Sequence, residues 1–567
     1  MSNLEPELTP ELTPEEAELQ AYIHEVLDSF RDRFGFLHLN QPNPDLGVLD
    51  RERAEKLIAA AGSEVAEDSF AGIGKQNANA RNAMMLFRAV PGWNRDEIRK
   101  AIQQRTQIAI RAYGLLPLAE GDAGRDECYD RYLALRKYEK EGLQFAAQRR
   151  AGEQAAVQAA LANLAQTAGF PDPSRLVWAM ESELNTRTRA KATRRVGEIN
   201  IQLHGEGLQI QIRASRDGQD LPAVPSAVKK SKPFAELRAC ADKLRAQYVR
   251  LRTEFERLMV DAEPFDADEL AELATLPTVG QILSTLVFRD AGGHFGLYDT
   301  DSRAFKGAQG CAVSVTGELT IAHPTAMEES GALTEWQQEI VRRRIVQPFK
   351  QVFRETHRET PLARLAKKPL SARAAGKWLN DQGWQVLPGD MPAQSVVFRP
   401  FYNASLQAIM TFDDAGRLLA GKGDVEVMTL NFQTLPGRFD DAQRVAAADV
   451  PLSLRSEVFR DCDRLSLTAL RRNGPVPSPA VIARRTELLL ALVQQKSLPG
   501  VTIEGDAVQV SRQDGMVAVS LVDGTITPAA SIRERWSEAD GLYLPFVGST
   551  DPTLAEIVHR VICLATK

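Results

Sequence analysis

Ile199-Asn-Ile-Gln-Leu-His204 is the stretch at which the chain changes period. Ile199, Ile201 and Leu203 alternate with polar residues, as do Leu208, Ile210 and Ile212 a few positions on. A two-residue repeat puts one side chain in two on the same face, which is the pattern of a half-buried strand. His204-Gly-Glu-Gly207 lies between the runs and predicts a hairpin turn. Everything from residue 14 to about 168 reads instead with helical period, and Gly169-Phe-Pro-Asp-Pro-Ser174 breaks it. The expected class is therefore α+β and multi-domain: a helical N-terminal region, then mixed helices and antiparallel β-sheet. Five regions are expected: a mobile acidic tail at 1–13, an all-helical region at 14–168, an α+β region with hairpin and long helix at 169–330, a core α+β region at 331–475, and a C-terminal α+β region at 476–567.

Working outward, Thr13-Pro14-Glu15-Glu16 has the form of a helix start, with a capping hydroxyl, proline in the first turn and acids near the positive helix end. Helices are expected at Arg51–Ala61, Gln76–Val90, Arg95–Tyr113, Arg125–Thr167 and Arg175–Leu184. Phe234, Leu237, Ala241, Leu244, Tyr248, Leu251, Phe255 and Leu258 step by three and four, one continuous apolar stripe on one long helix. Asp268–Phe288 is expected as helix interrupted near Pro277, and Gly292–Gly317 as short strands and turns. Thr334-Glu-Trp-Gln-Gln338 predicts a capped helix that ends at the proline of Gln347-Pro-Phe-Lys-Gln351. Strands follow at Ser395–Arg399, Leu406–Phe412 and Val425–Phe432, helices at Ser371–Gln382, Leu452–Leu470 and Pro479–Gln495. A β-meander around Asp514-Gly515 and Asp523-Gly524 and a helix at Pro552–Ala565 complete the chain.

With 567 residues the chain exceeds one ordinary core. No apolar run approaches the ~20 residues a membrane helix needs, and the polar, acidic N-terminus does not have the form of a signal peptide. A cytoplasmic protein is the expectation. Five separated cysteines with no Cys-x-x-Cys read as isolated buried thiols rather than a zinc or redox pair. The net charge of −6 conceals strong segregation. Residues 187–257 carry 16 Lys and Arg against 8 Asp and Glu, and residues 342–377 carry 11 against 2.

Reaction motifs are few. Ala71-Gly-Ile-Gly-Lys75 lacks the first glycine of a phosphate loop and has Gln76 where a hydroxyl should hold magnesium. No dinucleotide fingerprint, zinc-protease motif or nucleophile elbow is present, and no cofactor or metal site is expected. His323, held extended by Pro324, reads as a turn-fixing residue or as a base. Lys350 and Arg354 read as solvated surface charges, or as a pair that shares a face and grips one anion if helix resumes after Pro348. Glu457, Arg460 and Asp461 fall on one helix face, an internal ion-pair network, a glycosidase-type pair of carboxylates or a metal site. With Gln347 and Arg399 these residues form the candidate binding or structural cluster.

Several landmarks occur in order: Tyr132-Leu-Ala-Leu, Phe170-Pro-Asp-Pro, Trp178-Ala-Met-Glu, Ala322-His-Pro, Gln347-Pro-Phe-Lys-Gln, Arg399-Pro-Phe, Ser456-Glu-Val-Phe-Arg-Asp and Leu542-Tyr-Leu-Pro-Phe. From about residue 125 onward this series resembles a domain of unknown function found in bacterial MolR-like proteins. The resemblance implies protein partners, a MoxR-type AAA+ ATPase or a von Willebrand A-type protein, and supplies no catalytic residues. Some relatives carry a nucleic-acid-associated WGR module, whose core is not found here. Three readings follow. The first is a non-catalytic scaffold or regulatory subunit of such an ATPase system. The second is a nucleic-acid binder using the blocks at 187–257 and 342–377, with Arg342, Arg343, Arg344, Lys367 and Lys368 as contacts. The third is an enzyme of unassigned class with His323, Lys350, Arg354, Glu457 or Asp461 in one cleft.

Overall fold

The computed structural model describes residues 13–31, 47–145, 147–205, 209–365, 368–387, 396–401, 403–435, 443–468, 477–513, 515–528, 543–547, 551 and 553–566. Residues 1–12 of the expected acidic tail, Leu208, Lys367 and Asp514 lie outside them. The architecture is multi-domain α+β, with helices first and several antiparallel sheets after them. The chain divides into two compact units, 1–183 with 435–442, and 184–434 with 443–567. The first takes in the region expected as 14–168, and the regions from 331 onward contribute mainly to the second.

The first unit contains α1 (Pro14–Arg31), α2 (Arg51–Ala61), α3 (Ser63–Ile73), α4 (Ala78–Ala89), α5 (Arg95–Gln103), α6 (Gln107–Leu115), α7 (Gly121–Gly142) and α8 (Ala147–Ala168), and α9 (Pro173–Arg189) leads out of it. Thr13 and Glu16 cap α1 reciprocally, the Glu16 N–H donating to Thr13 Oγ1 at 3.2 Å and the Thr13 N–H to Glu16 Oε2 at 2.8 Å. Tyr22, Phe70 and Phe87 pack at the centre, with the Tyr22 and Phe87 rings edge to face at 5.4 Å. Two expected helices are each divided. Arg105 takes a left-handed φ of 57° and separates α5 from α6, and a turn beginning at Leu143 separates α7 from α8.

The second unit begins with β1 (Thr193–Val196), β2 (Ile199–His204), β3 (Gln211–Arg216) and β4 (Gln219–Asp220), an antiparallel sheet in that order. Leu203 pairs with Ile212 and His204 with Gln211, as the alternation predicts. After α10 (Ser226–Lys229) comes α11 (Lys232–Asp261). Ser231 caps it by accepting from the Phe234 N–H at 3.3 Å, and left-handed Ala262 (φ 51°) stops it. Its stripe is buried from Leu237 to Leu258. Leu237, Ala241 and Leu244 cover the apolar face of the first sheet, with Ile201, Leu203 and Ala214. Fully burying each large side chain of this kind is worth about 1.5–3 kcal/mol.

α12 (Ala267–Ala274) and α13 (Pro277–Leu283) follow, then a five-stranded sheet in the order β8-β7-β6-β5-β9: β5 (Val287–Asp290), β6 (Phe295–Asp299), β7 (Ala304–Lys306), β8 (Ala312–Val313) and β9 (Leu319–Ile321). Phe288 therefore lies in a strand and not in the helix expected to reach it. It is edge to face with Phe265 and with Phe305, a contact a central strand can make on both sides. Next come α14 (Pro324–Glu329) and α15 (Leu333–Arg342). The capping box expected at Thr334 is not formed: α15 starts one residue earlier, after Ala332, which has no capping side chain. Nor does Pro348 end α15. The Arg344 N–H donates to Val341 O and the Ile345 N–H to Ile340 O, both at 3.0 Å, around a left-handed Arg344. This Schellman stop releases the chain at Arg342, and Gln347–Glu355 runs on without helix.

The remainder comprises α16 (Leu362–Leu365), β10 (Leu370–Ser371), α17 (Ala372–Asp381), β11 (Gln385–Leu387), β12 (Val396–Phe401), β13 (Leu406–Phe412), α18 (Ala415–Ala420), β14 (Asp424–Val425), β15 (Val427–Thr434) and β16 (Arg444–Val445). Then come α19 (Leu452–Thr468), α20 (Pro479–Lys496), β17 (Val501–Glu504), β18 (Ala507–Arg512), β19 (Gly515–Ser520), β20 (Ile526–Thr527) and α21 (Leu554–Ala565). β11, β12, β13, β15 and β16 form a second five-stranded antiparallel sheet, and β17 to β20 form the meander. A large core joins Trp336, Phe353, Leu488, Val519 and Ile557 from α15, the irregular segment, α20, the meander and α21. The cysteines are not uniformly buried as expected: Cys128 and Cys462 are, Cys240 and Cys563 are half-buried, and Cys311 is exposed.

Candidate functional site

Helix α19 positions the site. Glu457, Arg460, Asp461 and Arg464 fall at i, i+3, i+4 and i+7 of it, a charged stripe where an apolar one would be ordinary, and all four are buried. The irregular segment Gln347–His357 lies against this stripe and supplies the opposite charges.

Arg354 grips Glu457 with two parallel bonds, Nε to Oε1 and Nη2 to Oε2, both 2.6 Å. Its remaining Nη1 donates to Glu256 of α11 at 2.6 Å. Glu355, the next residue, accepts from Lys350 Nζ at 2.6 Å, Arg464 Nη2 at 2.6 Å and Arg460 Nε at 3.3 Å. Arg460 Nη1 also stands 3.9 Å from Glu457. One turn on, Asp461 accepts from the Trp384 indole at 2.8 Å and from Arg399 of β12, while its backbone carbonyl accepts from the Trp378 indole at 3.0 Å. Exposure is 0% for Glu355, Glu457 and Asp461, 2% for Arg354 and 6% for Lys350. An ion pair so far from water persists only if each charge is matched and hydrogen-bonded.

His323 closes the network from the other side. Pro324 holds it extended at φ −79°, ψ 141°, and it caps α14. Its Nδ1 accepts from the Thr325 N–H at 3.3 Å and lies 2.7 Å from Thr325 Oγ1. An amide can only donate, so Nδ1 carries no proton, and Nε2–H donates to Glu457 Oε1 at 3.2 Å. Burial holds the imidazole below its ordinary pKa against the pull of Glu457, with Arg354 and Arg460 acting in the same direction as burial. Burial alone would raise the Glu457 and Glu355 carboxyls, but their guanidinium and ammonium partners outweigh it and hold both well below the usual carboxylate range. Desolvation lowers the Lys350 ammonium and raises the Asp461 carboxyl, in each case more than the opposite charges compensate.

Gln347 and Gln351 fasten the segment rather than carry charge. Gln347 Nε2 donates to Gln351 Oε1 at 2.7 Å, and Gln351 Nε2 to Val287 O at 2.8 Å and Ala322 O at 2.9 Å. Arg484 of α20 donates to the Arg354 carbonyl at 2.8 Å.

All eight residues of the candidate cluster thus meet in or beside one network, with two corrections. Lys350 and Arg354 do not share a helix face or one anion, because no helix resumes: Lys350 faces Glu355 and Arg354 faces Glu457. Nor are they surface charges. The expected nucleic-acid residues differ in fate. Arg342 is forked onto Glu339 at 2.9 and 2.7 Å, Arg344 lies 5.5 Å over the Tyr543 ring, and Arg343 and Lys368 are exposed. Sequence reasoning missed Glu355, Arg464, Glu256, Thr325, Trp378 and Trp384. Arg464 was one turn beyond a charged stripe already noticed, and Glu355 adjoined Arg354; the others come from distant segments with no local signal.

Chemically, Thr325, His323 and Glu457 have the hydroxyl–imidazole–carboxylate connectivity of a nucleophilic relay. Glu457, however, is already clamped by Arg354, so its charge is poorly placed to stabilise an imidazolium. Thr325 and His323 are buried. Among the described residues no group of three or more His, Cys, Asp and Glu is arranged to hold a metal ion, and no helix is long and apolar enough to cross a membrane.

Two family models match the chain. One, described as a domain of unknown function (DUF4132), covers residues 218–384, and the other, a family of unknown function (DUF5724), covers residues 93–180. The first includes His323, Gln347, Lys350 and Arg354, whereas Arg399, Glu457, Arg460 and Asp461 lie beyond it. No curated protein and no solved structure matches.

Proposed function

We propose that this chain is a non-catalytic scaffold or regulatory subunit whose buried charged cluster is a structural lock. The observation that supports this is the close pairing of opposite charges in the cluster: Arg354 with Glu457, and Lys350 and Arg464 with Glu355, at 2.6 Å and almost without exposure. Groups held this way fix one arrangement of α11, α14, α19 and the Gln347–His357 segment, and removing one partner leaves a buried charge uncompensated. The MolR-like resemblance supplies the partner: a MoxR-type AAA+ ATPase, or a von Willebrand A-type protein beside it, in the cytoplasm of a bacterial cell. Affinity purification of the tagged full chain from its native cell tests the reading. Recovery of such an ATPase, retained with a refolded but network-weakened variant such as Glu457→Gln, is the expected result. Repeated recovery of the chain alone contradicts it. So does labelling of Thr325 by a hydroxyl-directed electrophile in the native state, which would move the cluster from lock to reaction centre.

A further inference from the structure

The sheet β1–β4 has one covered face and one open face. Ile201, Leu203 and Ala214 lie under α11, so the alternate residues Arg195, Asn200, Gln202, His204, Gln211 and Arg213 are exposed on the other side. The register aligns them across the strands: Arg195 beside Asn200, Gln202 beside Arg213, His204 beside Gln211. Arg195 and Arg213 are two strands and two residues apart, roughly 12 Å by ideal sheet spacing. Arg213 makes no ion pair among the described residues, and Arg195 donates only to the Gly197 carbonyl at 2.9 Å. Among the described residues, Glu198 and Asp217 lie in the two tight turns at one end, and one carboxylate, Asp220 of the edge strand β4, shares the open face through its register partner Ser215. Among the described residues no large apolar side chain is exposed on this face.

The geometry points to a nucleic-acid strand as the occupant of this open face. The guanidiniums suit phosphates. Three amides, each both donor and acceptor, suit base edges and sugars, which present both kinds of group. An acidic peptide would use the two cations but leave the amides with few partners. The larger positive segment to which the sheet belongs, 16 Lys and Arg against 8 Asp and Glu over residues 187–257, gives the approach its sign.

Fluorescence anisotropy with the full chain and labelled single-stranded 20-mers of RNA and of DNA tests this. For two phosphate contacts, affinity should fall about 7-fold between 50 and 200 mM salt, and Arg195→Glu with Arg213→Glu should remove at least that factor at low salt. The pair Arg195→Lys with Arg213→Lys should bind, and Arg343→Glu should leave binding unchanged. A melting temperature equal to wild type shows that the reversed variant is folded. Absence of binding at low salt overturns the proposal, as does binding that survives the double reversal. Equal affinity for poly-glutamate overturns it in favour of an acidic polypeptide.

Discussion

Two stretches of this chain are similarly basic on paper and opposite in the fold. Residues 342–377 carry the greater excess, yet its central charges turn inward: Lys350 and Arg354 are buried against Glu355, Glu457 and Glu256, and at the surface Arg342 is forked onto Glu339. Residues 187–257 keep Arg195 and Arg213 on an open sheet face. Glu256, at the end of this second block, is itself a partner of Arg354, so the two blocks meet through an ion pair rather than as one positive groove. Charge counted along a sequence therefore does not report surface potential. What decides is whether the fold brings carboxylates from elsewhere, as α19 does for Arg354 and as no described residue does for Arg195 or Arg213.

The comparison breaks most visibly at Arg354. Arg354→Ala strands Glu457 and should cost about 3–5 kcal/mol of unfolding free energy in urea, the range for breaking a buried pair; a loss below 1 kcal/mol would place the pair among weak surface bridges.

Acid sharpens the same contrast. His323 is held below, and Glu355 and Glu457 well below, their ordinary values. Each depressed group contributes stability that is full above its unfolded pKa and is lost as pH falls towards its folded one. Melting temperature should thus decline from about pH 6.5 downward as the unfolded His323 takes up a proton, and more steeply below about pH 4.5 as the carboxylates follow. His323→Gln should flatten the upper part of that curve. An unchanged profile in this variant would remove His323 from the network's energetics.

At the small end, reversing Arg195 and Arg213 together should change stability by no more than about 0.5 kcal/mol, because neither side chain is buried and neither makes an ion pair among the described residues. A larger loss in chemical denaturation would mean the open face is part of the fold's support.

Much of the fold was legible locally. α2 runs from Arg51 to Ala61 as its pattern predicts, β13 from Leu406 to Phe412, and the Ile199–Leu203 alternation set the face that α11 covers. Boundaries governed by left-handed residues were not. Arg105 and Arg344 adopt φ of 57° and 55° although nothing about arginine announces it. Within the site, the charged stripe on α19 was visible, but whether it was solvated, catalytic or sealed was not. That depends on Arg354 reaching Glu457 across 103 residues of sequence, and on burial that only the assembled fold supplies.

The claim that the cluster is a lock rests on Arg354 and Glu457 acting as one unit. A double-mutant cycle with Arg354→Met and Glu457→Leu, read by urea unfolding, tests this directly. Each single change should be strongly destabilising and the double change less so than their sum, leaving a coupling of about 1–3 kcal/mol. Additive losses, with no coupling beyond about 0.5 kcal/mol, would contradict the account.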